Sequence, residues 1–201
     1  MGLVILGALA LYLLISIAVV IGAIKHAKKT GKSVKRWGWG AVLIMYLIPF
    51  WDWIPTVAVH QYYCATESGF WVNKSLDQWK AENPGVSETL VANKATSSKR
   101  QGDMTNYTDT YYLNQRFNWV VKKTGPLLLH RWHWEKEVID TSTNEVLVRY
   151  VDFSTGSGFI GGPPRGFRFW LQNDHCIGGQ GNMYSMDAFV SNISQLIKGD
   201  K

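Results

Sequence analysis

No charged side chain occurs among the first 24 residues, and no acidic one occurs before Asp52. Three short patterns that announce common chemistries are also missing: Cys-x-x-Cys, His-Glu-x-x-His and Gly-x-Ser-x-Gly. Their absence removes the redox dithiol, the helical zinc protease and the nucleophile elbow from consideration. Cysteine is scarce, with two residues in 201, and there is neither an internal repeat nor a long low-complexity tract. What is present is aromatic bulk, ten Trp and nine Tyr, and a strongly uneven distribution of charge.

The formal charge of +6 does not describe a nucleic-acid-binding face. Six cations, Lys25, Lys28, Lys29, Lys32, Lys35 and Arg36, cluster between two apolar runs with no acid among them. From His60 to Lys201 there are 15 Lys+Arg against 14 Asp+Glu, a net of +1. The basicity is therefore a topology signal, and nucleic acid is excluded as a partner. As a helix, Gly2 to Ile24 covers ~33 Å, close to the ~30 Å hydrocarbon layer. A cleaved signal peptide carries its cations first and a small-residue site last. Here the cations follow, and the Ala8–Ala10 triplet lies inside the run.

Cytoplasmic retention of the basic connector places both termini outside, which in a Gram-negative bacterium is the periplasm. The second span is predicted to run from about 38 to 60, with Tyr62 and Tyr63 as an outer aromatic belt and kinks at Pro49 and Pro55. A shorter span from Trp39 to Trp51 would cover only ~18 Å. In the longer span Asp52 falls in the outer half of the bilayer, where a carboxylate needs a partner. An antiparallel hairpin brings it near the depth of Ala10, so a Tyr12–Asp52 hydrogen bond is expected where the helices pack together, with a cation from another protein as the equal alternative. Ala18 and Gly22 have a small-xxx-small spacing, which suits either close helix packing or a lipid-facing position.

Residues 64–201 read as an exported α+β domain following the hairpin of residues 1–63. Cys64 and Cys176 both fall on the exported side. A disulfide is expected there, the alternative being two unpaired thiols. Ser75-Leu-Asp-Gln78 has the form of a capping box, and Asn83-Pro84-Gly85 ends that helix. Ala95 to Gly102 reads as an exposed loop. Leu127–Asp140 and Glu145–Phe153 flank the polar Thr141–Asn144 and predict a β-hairpin. Gly166–Gln172 offers a further strand. Met186, Phe189, Val190, Ile193, Leu196 and Ile197 make a helical stripe, with Ser185 or Asp187 as cap and Gly199 as terminator. The predicted fold is membrane-anchored α+β: a two-helix transmembrane hairpin, then an antiparallel sheet with a C-terminal helix packed on it.

Candidate chemistry is thin. His130 and His133 fall on opposite faces of a strand and cannot share one ion. Trp132 and Trp134 then belong to an aromatic surface, one of them in the core. The loop from Ser154 to Gly166 is glycine-rich, but prolines and a strand follow it, so it lacks the helix a phosphate cradle needs. It can still carry contacts, with Arg165 and Arg168 available to a partner carboxylate. His60 is one helical turn from Cys64, although the disulfide is the simpler role for that cysteine. The Asn-x-Ser/Thr triplets at Asn73, Asn106 and Asn192 are acceptors only in a glycosylating host. No catalytic, cofactor-binding or metal-ligating set is assigned.

Pro49-Phe-Trp-Asp52 followed by Tyr62-Tyr-Cys64-Ala-Thr-Glu-Ser-Gly69 resembles a pattern in uncharacterised proteobacterial two-span inner-membrane proteins. The resemblance covers about a tenth of the chain. It implies a bacterial inner-membrane location and a structural unit containing both Asp52 and Cys64. The resulting expectation is a non-catalytic accessory or assembly subunit of a larger inner-membrane complex, lying in the lipid bilayer and binding other membrane proteins through its transmembrane hairpin and its aromatic-rich periplasmic domain, with Trp132, Trp134, Arg165 and Arg168 as candidate partner contacts. Two alternatives stay open: a phage- or plasmid-type exclusion or immunity protein, and a periplasmic ligand-binding or enzymatic domain using His130, Arg131, Arg165 or Asp174.

Overall fold

The computed structural model describes residues 2–91, 98–156 and 171–196 and divides into two compact units, Met1–Pro55 and Thr56–Lys201. The first unit contains α1 (Gly2–Lys29) and α2 (Val34–Phe50), which pack together. α1 is long and apolar enough to cross a membrane, and Leu6, Leu11, Leu13 and Leu14 are all exposed on it. It runs past Ile24 into the cations, whose charges suit a helix C-terminus. At the connector, Lys32 lies 5.0 Å from the Trp37 ring centroid.

A single straight helix over 38–60 is not formed. α2 ends at Phe50, α3 (Trp53–Thr66) begins after a two-residue break, and the two are bent by 55°. The cause lies in two prolines. Pro49 has no N–H for the Met45 carbonyl, and Pro55 has none for the Trp51 carbonyl, so two rungs of a continuous ladder are missing. Pro55 costs α3 nothing, because N–H groups in a first turn are unpaired in any helix. Asp52 sits in this break, 1% exposed.

The expected Tyr12–Asp52 pairing is replaced by a different contact. The Tyr12 hydroxyl donates its single proton to the Met45 carbonyl, the acceptor that Pro49 leaves open. In an apolar medium an unsatisfied carbonyl is costly, so a neighbouring helix that supplies the missing donor removes a specific penalty.

The second unit is built on a six-stranded antiparallel sheet in the order β1-β6-β5-β4-β3-β2. The strands are β1 (Gly69–Val72), β2 (Ser98–Gly102), β3 (Tyr107–Tyr112), β4 (Phe117–Leu127), β5 (Arg131–Asp140) and β6 (Glu145–Thr155). The predicted hairpin is β5–β6, its turn closed by Asn144 at φ 56°. Of the stretch read as an exposed loop, residues 95–97 lie outside the described residues, and Ser98–Gly102 is exposed but pairs with β3 as an edge strand. α4 (Leu76–Glu82) opens on the predicted capping box, with Gln78 N to Ser75 Oγ at 3.2 Å and Ser75 N to Gln78 Oε1 at 3.0 Å.

α5 (Gly179–Leu196) packs on β1 and β6 through the predicted stripe, with Met186 and Ile193 fully buried. It starts well before Ser185 and Asp187, which are mid-helix residues and not caps; Gly199 and Ile197 lie outside the described residues. One face of the sheet carries Phe70, Val148, Tyr150, Val138, Phe117 and Trp119 into a core shared with Trp79, Met186 and Ile193. A register shift beside Val138 brings Leu147 into the same core. The other face carries ions: Glu135 receives Arg149 at 2.8 Å, and Lys122 reaches Glu137 at 3.2 Å.

Candidate functional site

The most elaborate junction in the second unit is where α3 meets the end of β6. His60, Tyr63 and Cys64 lie within about one helical turn and so share a face. Tyr63 packs on Phe153 with ring centroids 5.4 Å apart, and the Arg131 guanidinium lies 3.3 Å from the Tyr63 centroid. His133 stacks on Phe153 at 5.0 Å. His60 Nε2 sits 3.2 Å from the Phe153 carbonyl oxygen. The predicted disulfide between Cys64 and Cys176 is present, its Cα atoms 5.4 Å apart.

Behind the disulfide lies Asp152, 1% exposed on β6. Its carboxylate accepts from the Tyr150 hydroxyl at 2.8 Å, Phe153 N at 2.9 Å and Cys176 N at 3.0 Å. His175 Nδ1 is 2.6 Å away. These bonds fix the 175–179 segment in front of the sheet. Gly179 is required there, since a Cβ on it would come within 2.9 Å of both carboxylate oxygens. Burial, with the Asp152 carboxylate beside it, pushes the Tyr150 phenol well above its ordinary pKa. Burial also holds the His133 imidazole below its usual value, which favours the neutral ring.

His60, Cys64 and Cys176 place their ligand atoms within 4.8 Å of one another. Two sulfurs and an imidazole are a soft-metal donor set, but ligation needs thiolates, and the disulfide leaves none. As it stands the arrangement is a covalent lock, with His60 and Asp152 each holding one side of it by hydrogen bonds.

The other predicted site residues are dispersed. His130 lies in the turn before β5, at φ 58°, and does not belong to a strand with His133. Trp132, a candidate partner contact in the sequence, is 3% exposed, and its indole N–H donates to the Gly156 carbonyl at 3.2 Å. Trp134 is half-buried and donates to Ser154 Oγ at 3.1 Å. Both rings bracket the buried Lys123 ammonium, at 4.1 and 4.7 Å. Burial lowers the Lys123 pKa, and the ring faces offset part of that cost. Arg165 and Arg168 lie outside the described residues. Sequence reasoning missed Asp152, Lys123 and Asp140. A charge inside the apolar run Val151-Asp152-Phe153 is the signal that could have found the first. No protein-family model matches this chain, and comparison with curated proteins and with solved structures gives no match either.

Proposed function

We propose that this chain is a non-catalytic accessory or assembly subunit of a larger complex in a bacterial inner membrane. In this reading it crosses the bilayer twice, by α1 and by the bent α2–α3 pair, with both termini periplasmic. The observation that carries the reading is the Cys64–Cys176 bond. Such bonds persist in oxidising compartments, and the basic connector independently supports an exported side for these cysteines. An apolar groove between α1 and α2, lined by Leu9, Leu13, Ile17, Val42, Met45 and Tyr46, suits a partner transmembrane helix.

The ligand-binding or enzymatic reading expects an enclosed pocket lined by His130, Arg131, Arg165 or Asp174, of which Arg165 lies outside the described residues. Arg131 is instead stacked on Tyr63, and Asp174 accepts from Gln172 at 2.9 Å. No particular observation favours the exclusion reading. Crosslinking mass spectrometry in native membranes tests the proposal. It should return crosslinks from domain lysines to other membrane proteins, together with an intact Cys64–Cys176 peptide pair. Recovery of a monomer without co-purifying protein, or thiols that are free in cells, overturns it.

A further inference from the structure

Three connections meet at one end of the sheet. Tyr107 pairs with Lys123 and Leu127 with Arg131, so the β2–β3 turn and the β4–β5 connection lie side by side. Gly125 N donates to Asn106 Oδ1 at 2.9 Å, which ties them together. Arg131 pairs with Thr155, and Gly156 N donates to the His130 carbonyl at 3.1 Å, bringing in the end of β6. The chain enters the unit at this same end, through His60, Tyr63 and Cys64 on Phe153 and then Gly69 opposite Val151. Cys176, bonded to Cys64, brings the 175–179 segment there as well.

The tips of the β2–β3 turn, the β4–β5 connection and the 175–179 segment are aliphatic and exposed. Met104 is 82% exposed, Leu128 is 80% exposed and Ile177 is fully exposed, with Leu127 beside them at 37%. The turns at the opposite end are polar: Asn114, Gln115 and Arg116, then Thr141, Ser142, Thr143 and Asn144. Leu129 and His130 both adopt the left-handed region, at φ 59° and 58°, a conformation unfavourable for such side chains and characteristic of functional turns. Two nearby carboxylates are turned to local donors: Asp103 accepts Thr105 N at 2.7 Å and Asn106 N at 2.6 Å, and Asp174 accepts Gln172.

We infer that this end of the domain is a membrane-contacting face, with Met104, Leu127, Leu128 and Ile177 seated in the outer leaflet of the bilayer. The inference rests on the reading that the chain is anchored there. Lipid is favoured over protein because the tips are aliphatic, whereas protein-binding hot spots are dominated by Trp, Tyr and Arg. The exposed Tyr62 on α3 suits the headgroup layer that such tips would cross.

The test uses the full chain in phosphatidylethanolamine–phosphatidylglycerol vesicles, with its disulfide intact and one nitroxide per variant. The labels are introduced by Leu128→Cys, Met104→Cys, Ser142→Cys and Ile17→Cys, and power saturation is read against oxygen and a water-soluble nickel chelate. Positions 128 and 104 should shift toward oxygen accessibility relative to 142, by a step approaching that of position 17. If 17 lies at bilayer depth while 128 and 104 match 142, the contact is refuted and the anchoring stands. If 17 itself reads as aqueous, the anchoring reading fails. Low accessibility of 128 and 104 to both relaxants means that a protein or a second copy covers them, and this also overturns the lipid assignment.

Discussion

Asp140 stands at the end of β5, 1% exposed yet ionised. Burial alone would raise its pKa. Hydrogen bonds from Arg116 at 2.7 Å, Trp79 Nε1 at 2.8 Å and Ser142 N at 2.9 Å outweigh that and hold it at about 2. Because the folded value lies below the unfolded ~3.9, the stabilisation is complete above about pH 4 and is lost as pH falls toward 2, an amount of roughly 2 kcal/mol. Asp140→Asn should cost about 2–4 kcal/mol at neutral pH, since it strands the Arg116 guanidinium, and should flatten the acid limb. Urea titrations at pH 7 and pH 3 measure both effects. Trp79 was legible as a core residue from the short capped helix around it. Its partner was not, because Arg116 and Asp140 meet only through the β4–β5 register.

At the scale of elements, a proline and a phenol act as a pair across α1 and α2. Tyr12→Phe should weaken the hairpin by about 0.6–2 kcal/mol, the range for interhelical hydrogen bonds in bilayers. In a Pro49→Ala background the loss should shrink, because residue 49 then supplies its own N–H to the Met45 carbonyl. A double-mutant cycle of unfolding in mixed micelles reads this coupling, and additive losses would remove it. The kink itself was legible, since a proline beyond the first turn removes a rung from the helical ladder. The receiving donor was not, because helix rotation about the long axis is set by packing. The stripe of α5 was legible from Met186 to Ile193 for a similar reason, whereas its start depends on Asp152 approaching Gly179. β2 was read as a loop because its polar side chains all face solvent. Its strand character comes from pairing with β3, and its Lys99 and Arg100 discourage further strand addition.

At the scale of the whole molecule, the disulfide spans a sequence separation of 112. Chain-entropy arguments put the closure of such a loop near 4–5 kcal/mol, with measured losses commonly about 2–5 kcal/mol. Cys64→Ser and Cys176→Ser should each lower stability by that much, and the double variant by no more than either alone. Denaturation of the full chain with and without reductant measures it. The pairing could be read from an even cysteine count on one side of a predicted membrane. The apolar end of the sheet could not, because Met104, Leu128 and Ile177 are scattered in sequence and only strand order gathers them.

All six strands, from Gly69 to Thr155, lie between the two bonded cysteines, while α5 and the segment before Cys64 lie outside the ring. Tension applied between the segment before Cys64 and the C-terminal helix therefore travels across two sulfur atoms and bypasses the sheet. Under mechanical load the strands are a shunted circuit, and α5 can be peeled away before a single rung of the ladder is pulled.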